Sequence, residues 1–413
     1  MKVEVITVGD EILSGNIVDT NFAWLGDQLW SAGFDLHWHT SVGDEPEKIT
    51  GALKAAIGRS QAVIVTGGLG PTIDDITLEV AAQAFGLPLI LNEPALQEIR
   101  NFFVKMGREM TPNNQKQAML PKGSQVIPNK VGTAPGCHLI FKKTHFFFLP
   151  GVPREMKAQF EESVVSALSY LDPEKRQFYK RTLRCFGAPE AKIGQLLEGV
   201  DLTGVDLAYR VSFPEILLKI SAWGEKIKDL NGRVGRVEKK IRHRLGRLIY
   251  GEGEETLASV VGRLLQERKA TLSVAESCTG GLLADLITDC PGSSRYFERG
   301  VVVYNNQSKT DLLNVPAPAL LTFGAVSSET AAAMAKGMRR SAKTTYSLAM
   351  TGIAGPSGST SEKAVGTAHI ALDSEEGTEE KEFHFPTQRT WFKRVVAFTA
   401  LDILRRKLLE KAK

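Results

Sequence analysis

Cysteine is scarce in this 413-residue chain. The four present, Cys137, Cys185, Cys278 and Cys290, lie far apart with no CxxC pair. That excludes a disulfide framework and a thiolate zinc site. Seven histidines form no HExxH pattern, which removes the simplest zinc hydrolases. Long apolar runs are missing too. The longest strand-like patch, residues 145–149, is far short of the ~20 residues a membrane helix needs. The N-terminus runs directly into a strand pattern rather than the basic start and apolar stretch of a signal peptide, so a cytoplasmic protein with no membrane partner is expected. Charge of one sign is in small excess, 51 Lys and Arg against 47 Asp and Glu. A net charge of +4 is too mild to predict a nucleic-acid partner.

What is present is a 43% hydrophobic content, enough for packed cores, and a length that suggests two or three domains. The opening part alternates expected strands at 3–8, 35–40 and 62–66 with amphipathic helices. The helix over 21–32 is closed by Gly33. The next has Asp44 as its cap and Pro46 in its first turn, and a third ends at Phe85. This order predicts a mostly parallel sheet covered on both faces. Residues 138–141 and 145–149 read as paired strands, and Pro153 starts a helix to about Leu171. From about 174 to 251 the pattern becomes a small α+β module: strands at 178–186 and 216–223, a short helix near 189–197 and a basic helix near 225–245. The remainder returns to α/β order, with strands at 271–275, 300–304, 346–351, 366–372 and 381–385 and a closing helix over 390–411. The fold class is thus α/β, in three expected domains: 1–171, 172–251 and 252–413.

The most informative residue is Ser277, placed where a strand gives way to the Gly-rich start of a helix, Thr279-Gly280-Gly281. A helix N-terminus exposes unpaired N–H groups that can stabilise an oxyanion. A serine nucleophile needs a base. The GxSxG elbow is absent, and the only later histidines, His369 and His384, sit in strand patterns. A lysine can serve when its pKa is lowered. Lys309 follows an expected strand, and strand ends in an open α/β sheet converge on one crevice, so Ser277, Tyr304 and Lys309 can meet there. The loop from Thr351 and Gly352 to Gly355 ends another strand and would line the same crevice. Two alternatives stay open on spacing alone: Ser277 as a plain helix cap with Lys309 as a solvated surface lysine, or Cys278 as the nucleophile.

Residues 275–281, Tyr304-Asn305-Asn306, Gly324-Ala325-Val326-Ser327, and 351–356 followed by Lys363-Ala364-Val365-Gly366-Thr367 together resemble the CinA C-terminal domain. Some members of that family are nicotinamide mononucleotide (NMN) deamidases. The resemblance implies hydrolysis of the NMN amide to nicotinic acid mononucleotide plus ammonia, without a cofactor. It makes Ser277 the nucleophile, Lys309 its general base and Tyr304 their support. Thr279, Gly280, Gly281, Asn305, Thr351, Gly352 and Gly355 would contact substrate, and Arg389 would face its phosphate, a fitting task for a fork of donors. Lys363-Ala364 stands where many members have Lys-Pro.

In the front part, two segments follow strands and precede helices, the usual setting for phosphate binding by backbone N–H groups. One is Gly9-Asp10-Glu11-Ile12-Leu13-Ser14-Gly15-Asn16, and the other is Thr66-Gly67-Gly68-Leu69-Gly70-Pro71-Thr72-Ile73-Asp74-Asp75-Ile76-Thr77. The carboxylates Asp10, Glu11, Asp74 and Asp75 suit Mg²⁺ or a similar divalent ion held jointly with a pyrophosphate. Taken singly, Asp10 and Asp74 also read as cap and turn residues. With Pro150-Gly151-Val152-Pro153-Arg154-Glu155-Met156, these segments resemble the MoaB/MogA-like molybdopterin-binding fold in the form fused at the front of CinA proteins. That likeness implies a three-layer α/β domain with a metal-dependent ADP-ribose pyrophosphatase activity, the metal being Mg or Co. Its site would comprise Asp10, Glu11, Gly67, Gly68, Thr72, Asp74, Asp75 and Thr77.

The middle module resembles the KH-type domain of CinA proteins, and Gly232-Arg233-Val234-Gly235 reads GxxG. No aromatics interleave to stack bases, so no nucleic-acid partner is expected. The leading expectation is a two-activity enzyme of pyridine nucleotide salvage acting on NMN and ADP-ribose, and a homodimer as the family resemblance implies. The alternatives are molybdopterin binding by the front domain or a DNA-uptake protein without deamidase activity.

Overall fold

A computed structural model describes residues 1–173, 176–361 and 363–410. In it the chain forms two compact units, Met1–Tyr179 with Trp223–Asn231, and Lys180–Ala222 with Gly232–Lys413. Among the described residues no helix is long and apolar enough to cross a membrane.

The front unit is built on β1 (Lys2–Val8), β2 (Asp35–Val42) and β3 (Ala62–Thr66), with β4 (Leu89–Leu91) and β5 (Met119–Pro121) forming a separate ribbon. The strands β6 (Gln125–Ile127), β7 (Gly136–Phe141) and β8 (Thr144–Leu149) complete a six-stranded sheet of order β2-β1-β3-β8-β7-β6. All five residues of β3 are buried, as a central strand covered on both faces requires. The strands β2, β1, β3 and β8 pair in parallel, as expected of a mostly parallel sheet, and β7 and β6 are added through antiparallel pairings. The cause is local. Lys142 and Lys143 adopt positive φ between β7 and β8, and a two-residue turn can join antiparallel strands only. Glu45, not Asp44, is the N-cap of the Pro46–Ala56 helix. The expected helix from Pro153 is interrupted by a π-helical turn at Phe160–Val164.

The middle module holds β9 (Gln177–Cys185), β10 (Asp206–Ser212), β11 (Glu215–Gly224) and β12 (Ile249–Glu252) in the order β10-β11-β9-β12. The strand β10 escapes sequence reading because it is an edge strand with no buried residue. Gly232 and Gly235 lie inside the Ile227–Leu245 helix, so this GxxG is not a loop.

The last domain has β13 (Leu272–Glu276), β14 (Phe297–Val302), β15 (Tyr346–Gly352), β16 (Thr367–Ser374) and β17 (Gly377–His384), in the order β14-β13-β15-β16-β17. The first three in that order are parallel, and β16 and β17 add on antiparallel. Leu348 and Met350 face a core shared with the Leu257–Glu267 and Arg389–Leu409 helices, while Ala349 and Ala371 face the Ser328–Ala342 helix. The strand β14 ends two residues earlier than its hydrophobic pattern suggests. Val303 still donates to the Glu276 carbonyl, and the chain then leaves the edge of the sheet, putting Tyr304 in a loop.

Candidate active sites in the first and last domains

The parallel strands β13 and β15 aim their C-terminal ends at one crevice, the position the open-sheet rule assigns to a ligand. Ser277 follows β13 directly. Its N–H donates to the Met350 carbonyl, and its side chain is nearly buried. Lys309 sits one turn into the Asn306–Leu313 helix and is only 1% exposed. Its Nζ lies 3.2 Å from Ser277 Oγ, 2.8 Å from the Val303 carbonyl oxygen and 3.4 Å from that of Tyr304. A solvated lysine is thereby excluded. Burial lowers the Lys309 pKa below its ordinary value. A neutral amine in this place can donate both N–H groups to the two carbonyls and keep its lone pair for the serine O–H. Cys278, beside it, is a poor competitor because burial pushes its thiol up to about 12.

The cavity over Ser277 measures about 210 Å³ and is also lined by Tyr304, Lys309, Thr351, Gly352 and Arg389. Ala325 and Val326 complete the wall, held by a hydrogen bond from Thr351 Oγ1 to the Ala325 carbonyl at 2.7 Å. Arg389 donates through Nη1 to the Gly355 carbonyl at 2.9 Å and through Nη2 to Tyr304 Oη at 2.7 Å. The phenol therefore accepts from arginine, and its own proton is left to donate elsewhere. Gly355, Arg389 and Ala354 border a second, open cavity that also reaches Pro386 and Thr387.

Five expected contact residues do not line the Ser277 cavity, among them Gly355, which borders the second one. Asn305 Oδ1 caps the Asn306–Leu313 helix by accepting from Ser308 N–H and Oγ–H. Thr279 is wholly buried. Gly280 and Gly281 form the turn into the Leu282–Thr288 helix. The expectation that this helix end supplies free donors is corrected by a residue that sequence reading passed over. The buried Glu276 carboxylate accepts the N–H groups of Gly281, Leu283 and Ala284 at 2.8–3.1 Å. It holds the helix start in place and occupies the donors. Only its position immediately before the serine could have flagged it. Replacement of Glu276 by Gln should cost about 1–3 kcal/mol, since one accepting carboxylate oxygen becomes an NH2 donor facing N–H groups and the charge is lost. Equal thermal stability of wild type and Glu276→Gln would show that the cap is dispensable.

In the first domain, β1, β3 and β8 end around a cavity of about 330 Å³. The Gly67-Gly68 turn is obligatory there. Both residues have positive φ, and a side chain would meet the Val8 carbonyl at Gly67 and Thr77 Oγ1 at Gly68. Glu11, Asp74 and Asp75 line the cavity, with Asn21, Asp44 and Glu155, none of these last three among the expected site residues. Asp10, Thr72 and Thr77 do not line it. Asp10 and Asp44 each accept the other's backbone N–H, at 3.2 and 3.0 Å, a reciprocal bracket between the β1 and β2 ends. Thr72 donates to Asp75 through its N–H and its hydroxyl, so Asp75 organises the loop. Thr77 is buried under Gly68. Burial, and the charges of Asp10, Glu11 and Asp74, raise the Asp44 pKa.

Among the described residues no three His, Cys, Asp or Glu side chains are grouped closely enough to hold a metal alone. An ion of the magnesium type keeps waters and takes one or two carboxylates plus substrate phosphate rather than a closed protein cage. The concentration of acidic groups that raises Asp44 would be relieved by such a cation.

Fold and sites together define a multidomain α/β protein with a ligand-sized cavity at the strand ends of each outer domain, joined by a small α+β module. The sequence comparisons agree at each part. The "CinA C-terminal domain" matches residues 254–408, the "Probable molybdopterin binding domain" residues 4–170 and the "Damage-inducible protein CinA KH domain" residues 180–251. The chain belongs to the CinA family. It is 44% identical over 413 residues to a CinA-like protein of Geobacter sulfurreducens, spanning 99% of this chain and 100% of that one. A CinA-like protein of Citrifermentans bemidjiense is also 44% identical, over 100% of this chain and 98% of its own. Among solved structures, the competence/damage inducible protein CihA of Agrobacterium tumefaciens shares 38% identity over 37% of this chain and 94% of its own, with a TM-score of 0.36.

Proposed function

We propose that the last domain hydrolyses the carboxamide of NMN, giving nicotinic acid mononucleotide and ammonia. The observation that carries this reading is the buried Lys309 Nζ within 3.2 Å of Ser277 Oγ, with no histidine among the described residues that line the cavity. Ser277 Oγ attacks the amide carbon while Lys309 takes its proton. The C–N bond then breaks, Lys309 returns the proton to the departing nitrogen, and ammonia leaves an acyl-serine ester. Water, deprotonated by the same amine, cleaves the ester and restores Ser277. The free proton of Tyr304 is placed to donate to the substrate, and Arg389 supplies the cation that a nucleotide phosphate requires. The test is ammonia release from purified protein and NMN. Absence of ammonia from folded protein would leave this domain without the proposed chemistry.

For the first domain we propose a metal-dependent cleavage of ADP-ribose to AMP and ribose 5-phosphate. Asp75 and one of Glu11 and Asp74, together with the substrate's phosphates, would hold a divalent ion, Mg or Co, that polarises the pyrophosphate when bound. The Gly67-Gly68 turn lets the backbone approach the phosphates closely. Asp75→Ala should lower this cleavage by about 10²-fold or more, through loss of both a ligand and the Thr72 anchor, and leave ammonia release unchanged. A chelator should do the same. Undiminished metal-dependent cleavage by Asp75→Ala would remove Asp75 from the site. A homodimer in the cytoplasm is the assembly and location we propose for both reactions.

A further inference from the structure

The Arg389–Leu409 helix carries two duties that the sequence does not connect. Arg389 opens it at the cavity edge, while Trp391, Phe398 and Arg405 meet the middle module. Trp391 packs edge-on against Phe213 at 4.8 Å and 79°. Phe398 packs against Phe186 at 5.7 Å. Arg405 Nη2 donates to the Arg247 carbonyl at 2.6 Å. These positions are seven residues apart, so they form one stripe along the helix, two turns per step.

Phe213 sits in the two-residue turn between β10 and β11, whose register pairs Ser212 with Glu215. The turn is anchored from behind. Glu215 is buried against Arg184 and Tyr250, and Ile216, Leu218 and Ile220 are buried along β11. The phenyl ring is thus delivered by a rigid hairpin. An apolar cavity of about 670 Å³ opens beside it, between Pro214, Phe383, Phe385 and Val395. The Phe213–Trp391 contact, with both rings partly exposed, is the one of the three module contacts that lies nearest Arg389 on this helix.

We propose that the middle module is a splint for the substrate-phosphate end of the amidase site, with Phe213 as a positioning residue acting through Trp391 on Arg389. The inference rests on the NMN reading above. Trp391 and Arg389 share the first turn of the helix, so slack at Trp391 displaces the guanidinium from the place where Gly355 and Tyr304 hold it. The amide-cleaving pair, just after β13 and on the Asn306–Leu313 helix, is untouched by that slack. The predicted result is selective: weaker capture of a phosphorylated substrate and unaltered chemistry.

Steady-state kinetics of the full-length Phe213→Ala protein test this with two substrates, NMN and nicotinamide riboside, which has the same amide and ribose without the phosphate. The KM for NMN should rise roughly 3- to 10-fold, the worth of one aromatic pair. Its kcat should stay within about twofold, and the riboside constants should not move. Phe213→Tyr should restore the NMN value, and Trp391→Leu should reproduce the Phe213→Ala defect. In an Arg389→Ala background, Phe213→Ala should add nothing. An unchanged NMN KM in Phe213→Ala, or an equal loss on both substrates, overturns the proposal. Wild-type protein that turns over neither substrate defeats the amidase reading itself, a result separable from either of those.

Discussion

Ser277→Ala is expected to abolish ammonia release from NMN, by about 10⁴-fold or more, with ADP-ribose cleavage intact. The size of the effect follows from covalent catalysis. A missing nucleophile cannot be replaced by binding alone, and residues acting as a unit lose nearly all rate when one is removed. The selectivity follows from placement, since Ser277 and the Gly67-Gly68 turn line separate cavities in different units of the chain. Parallel assays of ammonia and AMP on one preparation decide it. Loss of both activities would mean that the two sites do not act independently, and retained ammonia release would shift the nucleophile elsewhere.

Lys309→Met should lower kcat by about 10²- to 10⁴-fold, the range of a general base, and should change two pH profiles. In the wild type the amine must be neutral to accept the serine proton, so kcat rises with pH through the Lys309 pKa, which burial sets below the ordinary value of 10.5. The variant should lack that rising limb. Stability should also respond. Below the lowered pKa both folded and unfolded chains are protonated, and folding buries a charge. Between that value and 10.5 the unfolded chain alone keeps the proton, so wild-type stability rises with pH relative to Lys309→Met. Above 10.5 the gain is complete. Thermal midpoints of both proteins from neutral to alkaline pH would measure it. A constant difference between them would mean that Lys309 titrates alike folded and unfolded, and would remove the reason for its action as a base.

The candidate catalytic residues differ in how far the sequence exposes them. Ser277 is legible because strand, serine and glycines follow one another within a few residues. Lys309 lies 32 residues later, on a helix with little amphipathic pattern, and only the convergence of strand ends suggests the pairing. Glu276 and Asp44 were invisible as functional groups for a physical reason. Each acts by accepting backbone N–H groups, and which N–H groups are near is decided by the fold. The expected contacts at Asn305 and Asp10 show the converse. Both residues lie in segments that carry the family resemblance, yet their side chains are spent on local capping and bracketing.

The α/β class and membership of the CinA family were legible in the sequence alone. These depend on hydrophobic periodicity, on turn residues and on contiguous motifs, all of which are local along the chain. Tertiary structure decided what is non-local: the antiparallel additions to both large sheets, the burial that turns Lys309 from a surface cation into a candidate base, and the contact of Phe213 with Trp391 across 178 positions. A pKa depends on the dielectric and charges around a group, and a support depends on what packs behind it. Neither is written in the order of residues until the chain has closed on itself.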